Sequence, residues 1–226
     1  MPDATATAPV GDPAKPWLVL DTSTAWTQVG RWDAAAGQWS AFHREATPAL
    51  ESLARLVRAA FAPEKLEPGG CGAIVLNTGP GSSLGLRIAL MMVNGWRALP
   101  GWEQVPVGTF SGLLLQARHP AAAGEYHLPF RQEIDNVASA GLEPTLALRS
   151  RAELPPESVR RTLIPLRPND RAPEGWTRRE HDLAALTRAW PEWAEAITWT
   201  ARPEVYVPKK AQFKPWQAVP HRARQA

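Results

Sequence analysis

The chain has 226 residues, 44% of them hydrophobic and 21% charged, which excludes a disordered polymer and allows one large domain or two small lobes around a buried core. The net charge is +3, but residues 208–226 carry Lys209, Lys210, Lys214, Arg222 and Arg224 and no acid; this tail holds +5 and leaves −2 for the body, so the polyanion affinity suggested by a basic chain falls on the tail. A single cysteine, Cys71, excludes a disulfide framework and a cysteine-rich zinc site, and the lack of an apolar leader or a span-length apolar run predicts a soluble, cytoplasmic protein with no membrane contact.

Residues 1–15 are small, polar and proline-containing and read as a flexible leader. Trp17–Leu20 is a continuous apolar run, as in a buried strand, and Asp21-Thr22-Ser23-Thr24 ends it with turn formers. Gln28–Trp32 and Gln38–Phe42 alternate around a short turn and predict an antiparallel meander. Thr47-Pro48 starts a helix whose Leu50, Leu53, Leu56, Val57, Ala60 and Phe61 recur at helical spacing, and Pro63 stops it. Ala73–Leu76 is a second buried strand, followed by a glycine-rich turn and a helix over Leu84–Leu99. Val105–Val107 is a short strand, and Thr109 caps a helix through Ala117. The pattern weakens beyond His119. Short strand-like pieces lie at Tyr126–Phe130 and Thr145–Leu148, a Pro- and Arg-rich loop covers 149–176, and a helix is expected over Arg178–Trp190. There is no internal sequence repeat. The expected organisation is a leader (1–15), a first lobe (16–118), a divergent second lobe (119–207) and a basic tail (208–226).

The strongest local signal is the strand–turn–helix unit at 73–99. Gly79, Gly81 and Gly85 allow a tight turn and a close approach, and the following helix N-terminus offers free N–H groups to an anion. With Asp21, Thr22 and Ser82 they form a candidate phosphate site. A purely structural turn, with Asp21 capping its own loop, explains the same residues. The spacing G-x-G-x-x-x-G is neither a Walker A loop nor a dinucleotide fingerprint. The helix after the turn is apolar on nearly its whole circumference, Ile88, Met91 and Met92 included, so it is either fully buried or shared with a partner. Catalytic constellations are thin. The five histidines show no metal-ligand spacing, no G-x-S-x-G is present, and Cys71 between two glycines reads as buried rather than nucleophilic. No catalytic residue and no metal ligand is assigned. In the tail, Lys209, Lys210, Lys214, Arg222 and Arg224 beside Trp216 suit phosphate contacts and stacking on RNA.

The order of motifs resembles the TsaB (YeaZ) family of tRNA threonylcarbamoyladenosine biosynthesis. The resemblance is carried by Leu18-Val-Leu-Asp-Thr-Ser-Thr24, Ala73-Ile-Val-Leu-Asn-Thr-Gly-Pro-Gly-Ser-Ser-Leu-Gly-Leu-Arg-Ile88 and Val105-Pro-Val-Gly-Thr-Phe-Ser111. It covers residues 17–118, and its Gly79–Ile88 block is its most specific part. It departs from the family at Ser82-Ser83-Leu84-Gly85, where a Ser-Phe-Thr-Gly is usual, and at Gly124–Arg131, where an Asp-Ala-Arg strand usually opens the second lobe. The resemblance implies an α/β, actin-like ATPase fold of two lobes, each a mixed sheet with flanking helices, the second reduced. It also implies a non-catalytic scaffold that binds and activates a TsaD-like subunit, which performs the threonylcarbamoyl modification of tRNA adenosine 37. A TsaE-like ATPase joins through the complex and tRNA is met indirectly. The first two helices would carry the interface, with Leu50, Leu53, Leu56, Val57, Ile88, Met91 and Met92 as its seam, and the same helices allow a homodimer when the chain is alone. The chain would hold no cofactor of its own, with ATP and magnesium entering only in the complex. Two other readings stand beside this one: an actin-like ATPase or phosphotransferase using Asp21 and the glycine turn, and a tRNA-binding adaptor acting through the tail.

Overall fold

The computed structural model describes residues 9–131, 133–141, 143–154, 159–188 and 191–207. The apolar run at Trp17 forms β1 (Trp17–Asp21), buried along its whole length. β2 (Thr27–Asp33) pairs antiparallel with it, and β3 (Gln38–Glu45) completes the predicted meander. On the other side β1 pairs parallel with β4 (Ala73–Asn77), and β4 with β5 (Val107–Phe110). The helices between them are α1 (Ala49–Ala60) and α2 (Ser83–Arg97), and α3 (Gly112–Arg118) follows β5. Two caps fall elsewhere than predicted. The N-cap of α1 is Pro48, because the Thr47 hydroxyl donates to Glu45 instead (2.6 Å). The N-cap of α3 is Ser111, whose hydroxyl accepts the Leu114 N–H, while Thr109 lies inside β5.

Alternate residues of a strand buried on both faces serve two different cores. Leu18, Leu20, Ile74 and Leu76 pack under α1 and α2. Trp17, Val19, Ala73 and Val75 face the opposite side, against Phe110, Leu115 of α3 and a C-terminal layer. That layer consists of α4 (Leu183–Arg188), a 3-10 helix (Pro191–Ala196) and β11 (Thr198–Trp199), which pairs antiparallel with β5. The helix expected over 178–190 is therefore shorter. Asp182 accepts the Ala185 N–H and starts α4 there, and Thr177–Arg178 are extended. The boundary expected at 118/119 is corrected too, since the chain beyond His181 returns to the first lobe.

The second sheet has the order β10-β9-β6-β7-β8. It comprises β6 (Glu125–Arg131), β7 (Ile134–Ser139), β8 (Leu146–Ser150), β9 (Arg161–Leu163) and β10 (Thr177–Arg178). A three-stranded antiparallel meander is followed by two parallel strands, as in the first sheet. The repeat is one of topology. The stretch 149–176, expected as loop, contains β9, and the crossover from β9 to β10 is a loop where the first lobe has a helix. One face of this sheet packs Tyr126, Leu128 and Ala138 on Leu113 and Ala117 of α3, so α3 serves both lobes.

Trp193 is fully buried against Trp32 (ring centroids 5.4 Å apart), Trp39 (6.2 Å) and Phe110 (5.8 Å). We predict that Trp193→Ala lowers unfolding free energy by roughly 3–5 kcal/mol in chemical denaturation, since a buried indole is removed from a packed site.

Candidate functional site

The turn after β1 and the turn after β4 interlock. Asp21 Oδ1 accepts the Ser23 N–H (2.9 Å) and the Ser23 hydroxyl (2.7 Å), closing a local Asx turn. Asp21 Oδ2 accepts the Asn77 amide (3.0 Å) and the Nε2–H of His181 (2.6 Å). Both Asp21 and His181 are buried. The Gln116 side-chain nitrogen lies 3.0 Å from Nδ1 of the same imidazole. Burial pushes the Asp21 carboxyl up, but attraction to His181, its hydrogen bond and those from Ser23 and Asn77 outweigh burial and hold the group below the usual carboxylate value. The Ser23 carbonyl accepts the Ser82 N–H (2.7 Å), and the Ser82 hydroxyl caps α2 by accepting the Gly85 N–H. A Cβ on Gly81 would collide with the Ser23 carbonyl, and one on Gly85 with that of Thr22. These glycines are needed so that one turn can lie against the other.

This corrects the expected phosphate site. Asp21, Gly79, Gly81, Ser82 and Gly85 are brought together, with Thr22 beside them, but to each other. The Asp21 carboxylate is sealed from solvent and satisfied by four donors, the N–H of Gly79 goes to Asn77 Oδ1 (2.8 Å), and Ser82 is spent on its cap. Thr22 is buried, and its hydroxyl makes no hydrogen bond.

The interface residues divide sharply. Leu53, Leu56 and Val57 are buried in the core of the first lobe and are corrected to structural residues. Leu50 is 77% exposed and Met91 72%, whereas Ile88 and Met92 are half-buried. Two residues absent from the predicted seam join them, Leu84 (69% exposed) and Leu99 (51%). α2 buries only Gly85, Leu86, Ala89 and Val93, one narrow stripe of a helix that is apolar nearly all round. Its other apolar side chains line two hollows against α1. One contains Leu50, Leu84 and Ile88; the other, of about 660 Å³, contains Met92, Trp96 and Leu99 facing Val57 and Leu66. A contiguous apolar strip of this kind marks a binding surface.

On the face of the second sheet away from α3 lies a charged cluster that sequence reasoning missed. Glu125 accepts from Arg149 (2.8 Å), and Asp135 takes two hydrogen bonds from Arg151 (2.8 and 2.9 Å). His127, fully buried, places Nδ1 3.3 Å from Asp135 Oδ2, with Trp176 over its ring at 4.3 Å. Burial raises the Asp135 carboxyl, but hydrogen bonds from His127 and Arg151 bring it below the usual value. The only signal in the sequence is polar side chains at alternate positions of β6. Cys71 is buried, as expected, and burial pushes its thiol up to about 11, which makes it a poor nucleophile. Among the described residues no cluster of His, Cys, Asp and Glu suits a metal ion and no helix is long and apolar enough to cross a membrane. Lys209, Lys210, Lys214, Trp216, Arg222 and Arg224 lie outside the described residues.

Two predictions follow from the interlocked turns. Gly85→Ala forces a methyl into the Thr22 carbonyl and should cost roughly 1–3 kcal/mol in urea unfolding. Asp21→Asn removes one partner of a buried pair and should cost roughly 3–5 kcal/mol near neutral pH. The Asp21 carboxyl holds its proton less tightly folded than unfolded, so its contribution is complete above the unfolded value of about 4 and is lost as pH falls through the lower folded value. Unfolding measured between neutral and acid pH should therefore show a smaller acid loss in Asp21→Asn than in the unsubstituted chain.

No protein-family model matches the chain, and no curated protein matches it. Solved structures do. YeaZ from Pseudomonas aeruginosa superposes with a TM-score of 0.56 at 20% identity, over 80% of this chain and 92% of that one. An uncharacterized protein with similarity to peptidase YeaZ from Pseudomonas aeruginosa gives a TM-score of 0.59 at 20% identity, over 86% of this chain and all of that one. At that identity the likeness is one of fold, and it agrees with the strand orders of both sheets: the chain is a mixed α/β protein of the actin-like ATPase fold.

Proposed function

We propose that the chain is a non-catalytic scaffold of the TsaB (YeaZ) type. It docks a TsaD-like subunit on the α1–α2 face, and that partner carries out the threonylcarbamoyl modification of tRNA adenosine 37, with a TsaE-like ATPase joining through the complex. The observation that carries this reading is the apolar strip of Leu50, Leu84 and Met91, three large side chains at 69–77% exposure on adjacent helices that have already built their own core. The sealed Asp21 carboxylate supports a binding role over phosphotransfer, since a group satisfied by four protein donors has no lone pair left to orient a metal or a nucleophile. A cytoplasmic location belongs to the same reading. So does a homodimer through the same strip when the partner is absent.

Met91→Asp tests this cleanly, because Met91 is a surface residue and its loss leaves the core intact. A charged group at the centre of an apolar interface should weaken association with the TsaD-like subunit from the same cell by roughly thirtyfold or more, with unchanged thermal stability, as read by co-purification and calorimetric titration. Undiminished binding by both Met91→Asp and Leu84→Asp would remove α1–α2 as the docking face.

A further inference from the structure

The body of the chain is near neutral, yet part of the second lobe is strongly basic. A pocket of about 390 Å³ lies between the β6–β7 hairpin, the start of the segment after β8, and the β9–β10 loop. Arg131, Arg151, Arg167 and Arg171 line it, opposed by Glu133 and Asp170. No residue of the β1 or β4 turns contributes, so it is separate from the expected phosphate site corrected above.

The acids do not neutralise the arginines. Asp170 Oδ2 is engaged by its own loop, accepting the N–H groups of Leu166 (2.9 Å) and Arg167 (2.8 Å). Arg178 braces the same loop from behind, donating to the carbonyls of Pro168 and Asp170 (both 3.2 Å). Arg151 is fixed in place by its two bonds to buried Asp135 and by the Trp176 ring at 5.9 Å, with its side chain 30% exposed. Arg131, Arg167 and Arg171 are exposed and form no ion pair among the described residues; Arg131 lies over the Phe130 ring. One guanidinium is thus fixed on the sheet and three more surround the opening, with Phe130, Leu163 and Leu166 as an apolar wall.

We propose that this pocket binds a phosphoryl group carried next to a flat, partly apolar moiety, as in a nucleotide. Guanidinium forks match phosphoryl oxygens in pairs, and several forks around one cavity suit a group with three such oxygens better than a carboxylate with two. The cavity has room for the attached base beside Phe130. A free mononucleotide and a nucleotide within RNA present the same chemistry, and the probes separate them. The site lies on the second lobe and does not depend on partner docking at α1–α2.

The test titrates the full chain calorimetrically with inorganic phosphate, adenosine monophosphate and a short oligoadenylate. The comparison is the double variant Arg167→Ala/Arg171→Ala, whose side chains are exposed and whose thermal stability should be unchanged. Saturable binding that the double variant weakens roughly tenfold or more supports the site, and Arg58→Ala, remote from the pocket, should leave it intact. Tighter binding of the mononucleotide identifies a free nucleotide as ligand. Tighter binding of the oligonucleotide, with a salt dependence that the double variant flattens, identifies RNA. Absence of saturable binding with every probe, or full retention of affinity by the double variant for each probe that binds, overturns the assignment.

Discussion

The first lobe is organised around the contact between Asp21 and His181. It joins residues 160 positions apart in the chain and draws in four elements at once. β1 supplies Asp21, the end of β4 supplies Asn77, α3 supplies Gln116, and the segment before α4 supplies His181. Gln28 of β2 brackets the same segment, donating to the His181 carbonyl (3.1 Å) and accepting the Leu183 N–H (2.9 Å). A buried network of this kind stabilises only when all its members are satisfied, and it then fixes a single arrangement. Here it fixes the return of the chain to the first sheet after the second has been built. α4, the Trp193 layer and β11 follow from that anchor.

The same constraint shapes the surface. Because the β1 turn is held by Asp21, the glycine turn must come to it, and Gly81 and Gly85 let it approach backbone to backbone. That contact sets the position of the α2 N-terminus through Ser82. With its first turn pinned there, α2 lays one narrow stripe on the sheet and leaves Leu84 and Met91 outward. The residues that look like a phosphate cradle and the residues that look like a docking face are thus parts of one device, in which the first is used internally to present the second.

Much of the first lobe was legible because its strands are continuous apolar runs and α1 has clean helical periodicity. The division of labour along the helices was not. Leu50 and Leu53 are the same residue type three positions apart, one exposed and one buried, and only the direction of the sheet distinguishes them. The second lobe was harder for a different physical reason. Its β9, β10 and β11 neighbours are two or three residues long, below the length at which alternation is visible. On β6, Glu125 and His127 occupy inward positions where the period-two rule expects apolar side chains. His181 carried no signal either, since its partner lies across the whole fold.

Those inward charges have a structural cause. In the first sheet, α1 and α2 cover one face with leucine and valine. The second sheet repeats the strand topology but has a loop where α2 would lie, so its corresponding face has no apolar helix to bury against. Ion pairs and one indole fill that space instead. Arg149 and Arg151 satisfy Glu125 and Asp135, and Trp176 from the substitute loop lies over His127. A loop in place of a helix also brings side chains of a different kind to the edge of the sheet. Arg167 and Arg171 reach the pocket because the backbone there turns at Pro168 and Asp170 instead of coiling. The near-neutral total of the body therefore conceals a local basic site whose position follows from the missing helix, and the second lobe differs from the first in what it can bind for the same reason that it is smaller.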